Sequence, residues 1–277
     1  MRILIPSGDP TIAGDGAYNM ALDKLLFEGH AAIDEPLLRF YCFHPATITV
    51  PIRYDGEDLC RRKITESKIK VSRRISGGKY LLHQLGITYS IFLPKDHLTI
   101  EGLSLRESYR NLSLPILSAL RALNKSVEFL TCAAGKQENK DCSMETEVES
   151  MGIQGAKFVG AAQKRGKHSL IQHGEIQLLS SPIGLGHFLN GGLGNPTVGL
   201  DANIDLTNIE TSNKIVCQPE PADRDNLGAL YRLREIVASN ILVEFEKVLG
   251  DKHYYQLEST LVDRAMEFRK EFEIVLK

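Results

Sequence analysis

Hydrophobic residues recur along this chain with two spacings, and the longer spacing predicts the helices. Apolar side chains three or four positions apart fall on one face of a helix. This spacing predicts helices over residues 16–28, 104–123, 228–248 and 254–276. A shorter helix is predicted to begin at Asp55, a candidate N-terminal cap, and to continue through Leu59 and Ile64.

Short apolar runs between turn-forming residues predict the strands. They cover residues 36–43, 46–50, 70–74, 80–82, 87–93, 127–130, 157–163 and 168–177. The polar segment 132–149 predicts a long surface loop, and segment 179–225, rich in Gly, Pro, Asn and Asp, predicts irregular structure. Strands interrupted by helices at both ends favour the α+β class, with mixed or antiparallel β-sheets flanked by helices. We predict a single catalytic domain over residues 1–277 that ends in a helical segment over 226–277.

Composition and charge exclude several classes of protein. Hydrophobic residues make up 43% of the 277, and the net charge of -2 lacks the basic excess of non-specific nucleic-acid binding. No apolar run approaches the roughly 18–20 residues that span a bilayer, and the first residues lack the features of a signal peptide. The five cysteines form no C-x-x-C pair, so we expect neither a disulfide framework nor a metal site. We therefore expect a cytoplasmic protein. Separately from these features, we expect a monomer.

A pair of glycines flanked by cations, at positions 77 and 78, is the most informative motif. Because glycine has no side chain, a ligand can lie against the backbone, and the freed N–H groups can bind a carboxylate or a phosphate. Arg73, Arg74 and Lys79 would strengthen anion binding. The alternative is an ordinary turn between two strands. The spacing matches neither a P-loop nor a dinucleotide-binding fingerprint.

A second motif places small residues on both sides of Lys157. Gly155 and Ala156 precede this lysine, and Gly160 and Ala162 follow it. Small neighbours let a substrate approach closely, and a partly buried lysine can polarise an acyl carbonyl. The alternative is a solvated lysine at the edge of a hairpin, because lysine is rarely buried unless it is paired.

In this order and with this spacing, the motifs resemble those of the biotin/lipoate protein ligase superfamily. Residues 73–83 resemble R-R-x-[ST]-G-G-x-x-x-x-H, and residues 157–174 resemble K-x-x-G-[SA]-A-Q followed by H-G. Residues 19–23 resemble the N-M-A-x-D helix, and residues 38–47 resemble the L-R-[FL]-Y…P-P-T strand pair. The resemblance covers residues 14–178 and implies the catalytic-domain fold of that superfamily.

Three activities compete within this superfamily. ATP-dependent lipoate ligases carry R-N-D before the lysine motif, where this chain has the acidic residues 145–149, and often a third glycine, where it has Lys79. Biotin ligases carry a tryptophan motif, and this chain has no tryptophan. Transferases of the LipM type move octanoyl or lipoyl groups through a cysteine thioester. The chain resembles these transferases in G-G-[RK], in Thr88-Tyr89-Ser90 and in length.

The resemblance to these transferases implies a cysteine about fifteen residues before the signature lysine, and Cys142 stands at that position. Its thiolate is expected to attack a donor thioester, while Lys157 lowers the thiol pKa or stabilises the oxyanion. His83 and His173 are candidate general bases for the carrier lysine that accepts the acyl group. The alternative is that Cys142 is a surface cysteine in an acidic loop, and the second candidate nucleophile is Cys132.

The resemblance also implies binding residues, cofactors and partners. The expected acyl- and substrate-binding residues are Arg73, Arg74, Ser76, Gly77, Gly78, Lys79, His83, Gly160 and Ala162. The candidates for lining an apolar acyl tunnel are Leu38, Ile75, Leu81 and Val159. A transferase would need no cofactor, whereas a ligase would need ATP and Mg²⁺. The implied partners are an acyl-carrier donor and a lipoyl-carrier domain of the glycine-cleavage H-protein or dehydrogenase E2 type. The altered residues 145–150 and Pro51 motivate a further alternative, a non-catalytic member that binds acylated carriers.

Overall fold

Two β-sheets and five described α-helices make up the framework that positions the site. The structure is a computed structural model and describes residues 1–5, 12–29, 34–54, 56–130, 150–192, 196–200, 216–217 and 224–276. The strands are β1 (Arg2–Ile5), β2 (Leu37–Tyr41), β3 (Thr47–Val50), β4 (Lys70–Arg73), β5 (Leu81–His83), β6 (Gly86–Pro94), β7 (Val127–Phe129), β8 (Met151–Ile153), β9 (Ala156–Arg165), β10 (Ser169–Gln177), β11 (Val216–Cys217) and β12 (His253–Gln256). The helices are α1 (Gly16–Phe27), α2 (Arg61–Glu66), α3 (Leu105–Leu123), α4 (Arg224–Leu249) and α5 (Ser259–Phe272).

The larger sheet is mixed. Its strand order is β12-β1-β2-β6-β10-β9-β8-β7, and β11 also pairs with β2. The successive neighbours β2, β6, β10, β9, β8 and β7 pair antiparallel. Strand β1 lies parallel to both of its neighbours, β12 and β2. The smaller sheet has the order β4-β3-β5, with β3 parallel to β4 and antiparallel to β5. These mixed sheets flanked by helices confirm the predicted fold class.

Three apolar clusters hold the layers together. Helices α3 and α4 pack on one face of the larger sheet, and helices α1 and α5 pack on the opposite face. The smaller sheet encloses a cluster of its own with a 3-10 helix over Leu185–Phe188. None of the described helices combines the length and the apolar character that crossing a membrane requires.

The N-terminus of helix α3 is fixed by a capping box beside the site described below. The Ser104 hydroxyl accepts a hydrogen bond from the backbone N–H of Glu107 at 3.2 Å. In return, the Glu107 carboxylate accepts one from the backbone N–H of Ser104 at 2.9 Å. This reciprocal pair sets the point at which the first turn of α3 approaches the sheets.

Several predicted boundaries are wrong, and each has a structural reason. Residues 253–256 form strand β12 rather than the start of a helix, because their backbone groups pair with β1 and override the local helical spacing. Strand β8 was not predicted, since its three residues carry no periodic signal. Helix α2 begins at Arg61, later than predicted, and Asp55 lies outside the described residues. Helix α4 begins at Arg224, inside the segment predicted to be irregular.

The residues after helix α5 return to the smaller sheet. The backbone N–H of Ile274 donates to the carbonyl of Val71 at 3.0 Å, and Glu273 forms a bridge with Ser72. Ile274 and Leu276 pack against the apolar cluster of that sheet. The tail therefore extends the β4 edge, from which the glycine-pair loop emerges.

Candidate active site

A cavity of about 430 Å³ lies between the two sheets. Its walls come from the smaller sheet, the glycine pair, residues 160–163 of β9 and the first turns of α3. The lining residues are Met20, Tyr41, Thr49, Arg74, Gly77, Gly78, Leu81, His83, Thr88, Leu105, Arg106, Tyr109, Gly160, Ala161, Ala162, Gln163, His173 and Gly174. The volume falls in the range of small-molecule sites.

The buried Arg74 side chain shapes the glycine-pair loop. Its guanidinium donates to the carbonyls of Gly77 at 2.8 Å and Thr49 at 3.1 Å, and also to the carbonyl of Lys79. Gly78 has a φ of +91°, and a Cβ at this position would lie 3.2 Å from the guanidinium. A Cβ on Gly77 would meet nothing within 4 Å. Hydrogen bonds from Arg74 therefore fix the loop, and the space next to Gly77 is open.

His173 connects the loop to helix α1 through a buried chain of polar groups. Its Nε2 atom lies 2.5 Å from the Ser76 hydroxyl, and its Nδ1 atom lies 3.2 Å from the Asp23 carboxylate. Because the carboxylate can only accept, Nδ1 carries the proton and Nε2 accepts from Ser76. Asp23 also forms an ion pair with Arg39 at 2.8 Å and accepts hydrogen bonds from the Tyr41 and Ser90 hydroxyls.

Within this buried series of hydrogen-bonded groups, the charges compensate one another. Burial would raise the pKa of Asp23, but Arg39 and the hydrogen bonds from His173 and Ser90 outweigh it and hold the pKa below its usual value. Burial lowers the pKa of His173, although the hydrogen bond to Asp23 opposes this shift. Burial and the charge of Asp23 raise the pKa of Tyr41 well above its usual value. The chain therefore holds a charged Asp23–Arg39 pair and a neutral imidazole.

A second chain of hydrogen bonds crosses the cavity wall at His83. The Nδ1 atom of His83 lies 2.9 Å from the Glu175 carboxylate, and Nε2 lies 2.9 Å from the Thr49 hydroxyl. The Thr88 hydroxyl donates to the same Glu175 oxygen. Gly86 makes room for this carboxylate, since a Cβ there would lie 2.1 Å from Glu175 Oε1.

Lys157 lies next to the cavity in strand β9. Its side chain is half-buried and lines a smaller cavity of about 30 Å³ with Glu175, Leu185 and Thr197 among its neighbours. The two cavities share Leu81 and Gly160. The glycine pair and the signature lysine therefore approach the same region between the sheets.

The structure brings together most of the predicted site residues. Those that line the main cavity are Arg74, Gly77, Gly78, His83, Gly160, Ala162 and His173. The Ser76 hydroxyl is hydrogen-bonded to His173, which lines the cavity. The backbone carbonyl of Lys79 accepts a hydrogen bond from Arg74. Arg73 donates to the carbonyl of Ile52 at 3.3 Å beside the loop. The candidate nucleophiles Cys142 and Cys132 lie outside the described residues.

The predicted tunnel lining is only partly correct. Leu81 lines both cavities, and Val159 lines the smaller one. Leu38 and Ile75 are buried in the apolar clusters on the two faces of the larger sheet, so the prediction that they line a tunnel is wrong. Their burial reflects the ordinary packing of a strand and a loop against helices.

Sequence reasoning missed several residues of the cavity wall. Thr49 and Thr88 line the main cavity from largely buried strands, Glu175 lines the smaller cavity, and the first turn of α3 contributes Leu105 and Arg106 to the main one. A polar residue inside a buried strand needs a partner. That signal identifies Glu175 as paired, but it does not identify the partner.

Comparisons with known proteins agree with this architecture. Residues 15–192 match the model of the lipoyl protein ligase A/B catalytic domain. Over 183 residues the chain is 30% identical to octanoyltransferase LipM from Halalkalibacterium halodurans, covering 63% of this chain and 64% of that protein. The chain thus spans less than two thirds of the length of this curated relative.

Two solved structures share the fold at low sequence identity. A lipoate-protein ligase A bound with ATP superimposes with a TM-score of 0.67 and 15% identity, covering 98% of this chain and 94% of that chain. A bipartite lipoate protein ligase from Thermoplasma acidophilum, described with its E2 lipoyl domain, gives a TM-score of 0.64 and 16% identity. That match covers 98% of this chain and 92% of the other.

Proposed function

The chain belongs to the lipoyl protein ligase A/B catalytic-domain family, and from this membership we propose that it is a cysteine-dependent protein acyltransferase. It moves an octanoyl or lipoyl group through a thioester to a lysine of a small carrier domain. The likeness to octanoyltransferase LipM supports this acyl class.

One observation carries the proposal, namely the cavity between the glycine pair and strand β9, which contains Lys157. A medium-length acyl chain needs a slot with apolar walls and a few polar groups that fix its reactive end. Leu81, Ala161 and Tyr109 supply part of the wall, and the open space at Gly77 accommodates a carbonyl close to the backbone. The His83 and His173 rings supply polar groups on the same wall.

The chemistry requires two acyl transfers. In the first, the thiolate of Cys142 attacks the donor thioester, the donor C–S bond breaks and the donor sulfur leaves as a thiolate, while Lys157 lowers the pKa of the Cys142 thiol or stabilises the oxyanion. In the second, the carrier lysine attacks the enzyme thioester after losing a proton to a base. The role of Cys142 is supported by its spacing from Lys157 and by the family resemblance.

The proposed acceptor is a lipoyl-carrier domain of the glycine-cleavage H-protein or dehydrogenase E2 type, and the donor is an acylated carrier protein. A structural relative described with its E2 lipoyl domain supports an acceptor of this kind. We place the reaction in the cytoplasm, on a monomer, without a cofactor, metal or nucleic acid.

A second candidate function is an ATP-dependent lipoate ligase. The fold shared with a lipoate-protein ligase bound with ATP favours it, and the cations that flank the glycine pair fit an anionic nucleotide. This activity would require ATP and Mg²⁺ but not Cys142. A non-catalytic protein would bind the acylated carrier without turnover.

Intact-mass spectrometry separates these functions. We expect wild-type protein incubated with octanoyl carrier protein to gain one octanoyl group and to pass it to a lipoyl domain. Cys142→Ala should lose both signals, while Cys132→Ala should keep them. Acylation that depends on free octanoate or lipoate with ATP and Mg²⁺, and that survives Cys142→Ala, would establish the ligase instead.

A further inference from the structure

We propose that Thr49, His83 and Glu175 form a proton relay that accepts the proton of the incoming carrier lysine during the second acyl transfer. This inference rests on the proposed acyltransferase function and deepens it. Thr49 and His83 line the cavity, so the relay begins at the surface that the lysine would approach. A carrier lysine is an ammonium ion near neutral pH and cannot attack a carbonyl until it loses a proton.

The hydrogen bonds fix the direction of the relay. Arg74 can only donate, and its Nη1 atom lies 3.3 Å from the Thr49 hydroxyl oxygen. The hydroxyl proton therefore points to Nε2 of His83 at 2.9 Å, and Nδ1–H of His83 donates to Glu175 at 2.9 Å. Among the described residues these are the partners of the Thr49 hydroxyl. Its second lone pair can therefore accept a proton from the cavity.

The proton transfer balances in two steps. The ammonium of the carrier lysine gives one proton to Thr49 Oγ1, whose own proton moves to His83 Nε2, and the imidazolium forms an ion pair with Glu175. The neutral amine then attacks the thioester carbonyl, a C–N bond forms and the C–S bond breaks. The sulfur keeps the electron pair of that bond and takes the second amine proton, and His83 later returns its proton to solvent through Thr49.

Charge compensation selects His83 over His173 for this role. Asp23, the carboxylate beside His173, is already neutralised by Arg39 at 2.8 Å. Glu175 is 3% exposed, and its partners among the described residues are His83 and Thr88, neither of which is a permanent cation. Protonation of His83 therefore creates a compensated ion pair, whereas protonation of His173 would add an uncompensated charge.

The other charged groups around His83 do not remove this difference in charge compensation between His83 and His173. Arg74 lies beside Thr49 and disfavours a second positive charge, and Lys157 lines the small cavity next to Glu175. The neutral His173 belongs to the neighbouring chain, and Glu175 is the acidic group in contact with His83. The Phe43 ring packs against the imidazole with centroids 4.0 Å apart, which fixes its orientation.

The test distinguishes deprotonation of the carrier lysine from attack on the acyl carbonyl. Octanoyl-enzyme is prepared from octanoyl carrier protein and mixed in single turnover with either a lipoyl domain or hydroxylamine, an amine that is neutral near pH 7. Thr49→Val should slow transfer to the lipoyl domain by roughly 10²-fold, the scale of general-base catalysis, and leave the hydroxylamine reaction within about twofold. The deficit should shrink as pH rises, because solvent then deprotonates the carrier lysine.

Matched variants exclude a folding defect. Thr49→Ser keeps the hydroxyl and should restore the rate. Thr47→Val removes a buried hydroxyl from the same strand, where the side chain donates to the Pro45 carbonyl at 2.9 Å outside the cavity wall. This control should leave transfer unchanged. Glu175→Gln keeps a hydrogen-bond acceptor but removes the charge, and it should show the same lysine-selective loss.

The outcomes distinguish the relay from the function on which it rests. Equal slowing with both nucleophiles, or normal transfer by both Thr49→Val and Glu175→Gln, overturns the relay while the acyltransferase stands. A wild-type enzyme that forms no octanoyl thioester overturns the proposed function, and the relay is rejected with it.

Discussion

The Nε2 atom of His173 lies 2.5 Å from the hydroxyl oxygen of Ser76, which precedes the glycine pair. This contact joins a loop of the cavity wall to a strand of the larger sheet. Through Asp23 it continues into helix α1, so one buried chain of hydrogen bonds connects three separate segments of the sequence.

Removal of the Ser76 hydroxyl should destabilise the protein. Ser76→Ala leaves Nε2 of a buried imidazole without its donor, and an unsatisfied buried acceptor costs about 1–3 kcal/mol. Urea denaturation should show this loss in the free energy of unfolding, whereas Ser76→Thr, which keeps the hydroxyl, should lose less. Equal stability of wild type and Ser76→Ala would contradict the hydrogen bond.

Gly78 and Gly77 should respond differently to the same substitution. Gly78→Ala forces a side chain into a positive-φ conformation beside Arg74, which costs about 1–2 kcal/mol. Gly77→Ala adds a methyl group in open space at a φ that other residues adopt, so its thermal midpoint should match that of wild type. Both midpoints can be read from one set of thermal melts, and a reversed order would refute the loop geometry.

Stability should fall as the solution becomes acidic. The pKa of His173 is lowered chiefly by burial, so below about pH 6.5 the unfolded chain binds a proton that the folded state does not. The pKa of Asp23 is also lowered, because Arg39 and hydrogen bonds outweigh burial, and its contribution is lost at still lower pH. Denaturation between pH 7.5 and 5 should therefore have a shallower pH slope in His173→Gln, by up to about 1.4 kcal/mol per pH unit. The exposed His168 provides the control, since His168→Gln should keep the wild-type slope.

Ala162 should limit the length of the acyl chain. It lines the cavity and pairs across the strands with His173. Ala162→Leu fills part of the slot, so transfer of octanoyl groups should fall by roughly tenfold or more, the effect of a few misplaced methylene groups. Transfer of butanoyl groups should be retained, which makes the shorter donor an internal control. Parallel loss with both donors would show a folding defect rather than a change in selectivity.

The sequence predicts local features of this protein better than it predicts long-range pairing. The periods of α1 and α3, the glycine pair and the small residues around Lys157 are local signals, and the structure bears out these elements and the cavity that they form. The partners of Glu175 and Asp23 come from distant strands, and hydrophobic spacing does not specify which strands are neighbours. Strand β12 shows the same limit, because its pairing with β1 overrides a helical pattern.

The pairing of β1 with β12 has a consequence for folding. Ile3 and Tyr254 are partners in this ladder, and the amino group of Met1 donates to the carbonyl of Asp251, 250 positions away. Contacts between such distant positions close large loops and slow folding. During translation, one edge of β1 therefore stays uncovered until residues 253–256 have left the ribosome, and a nascent form with that edge uncovered is exposed to aggregation.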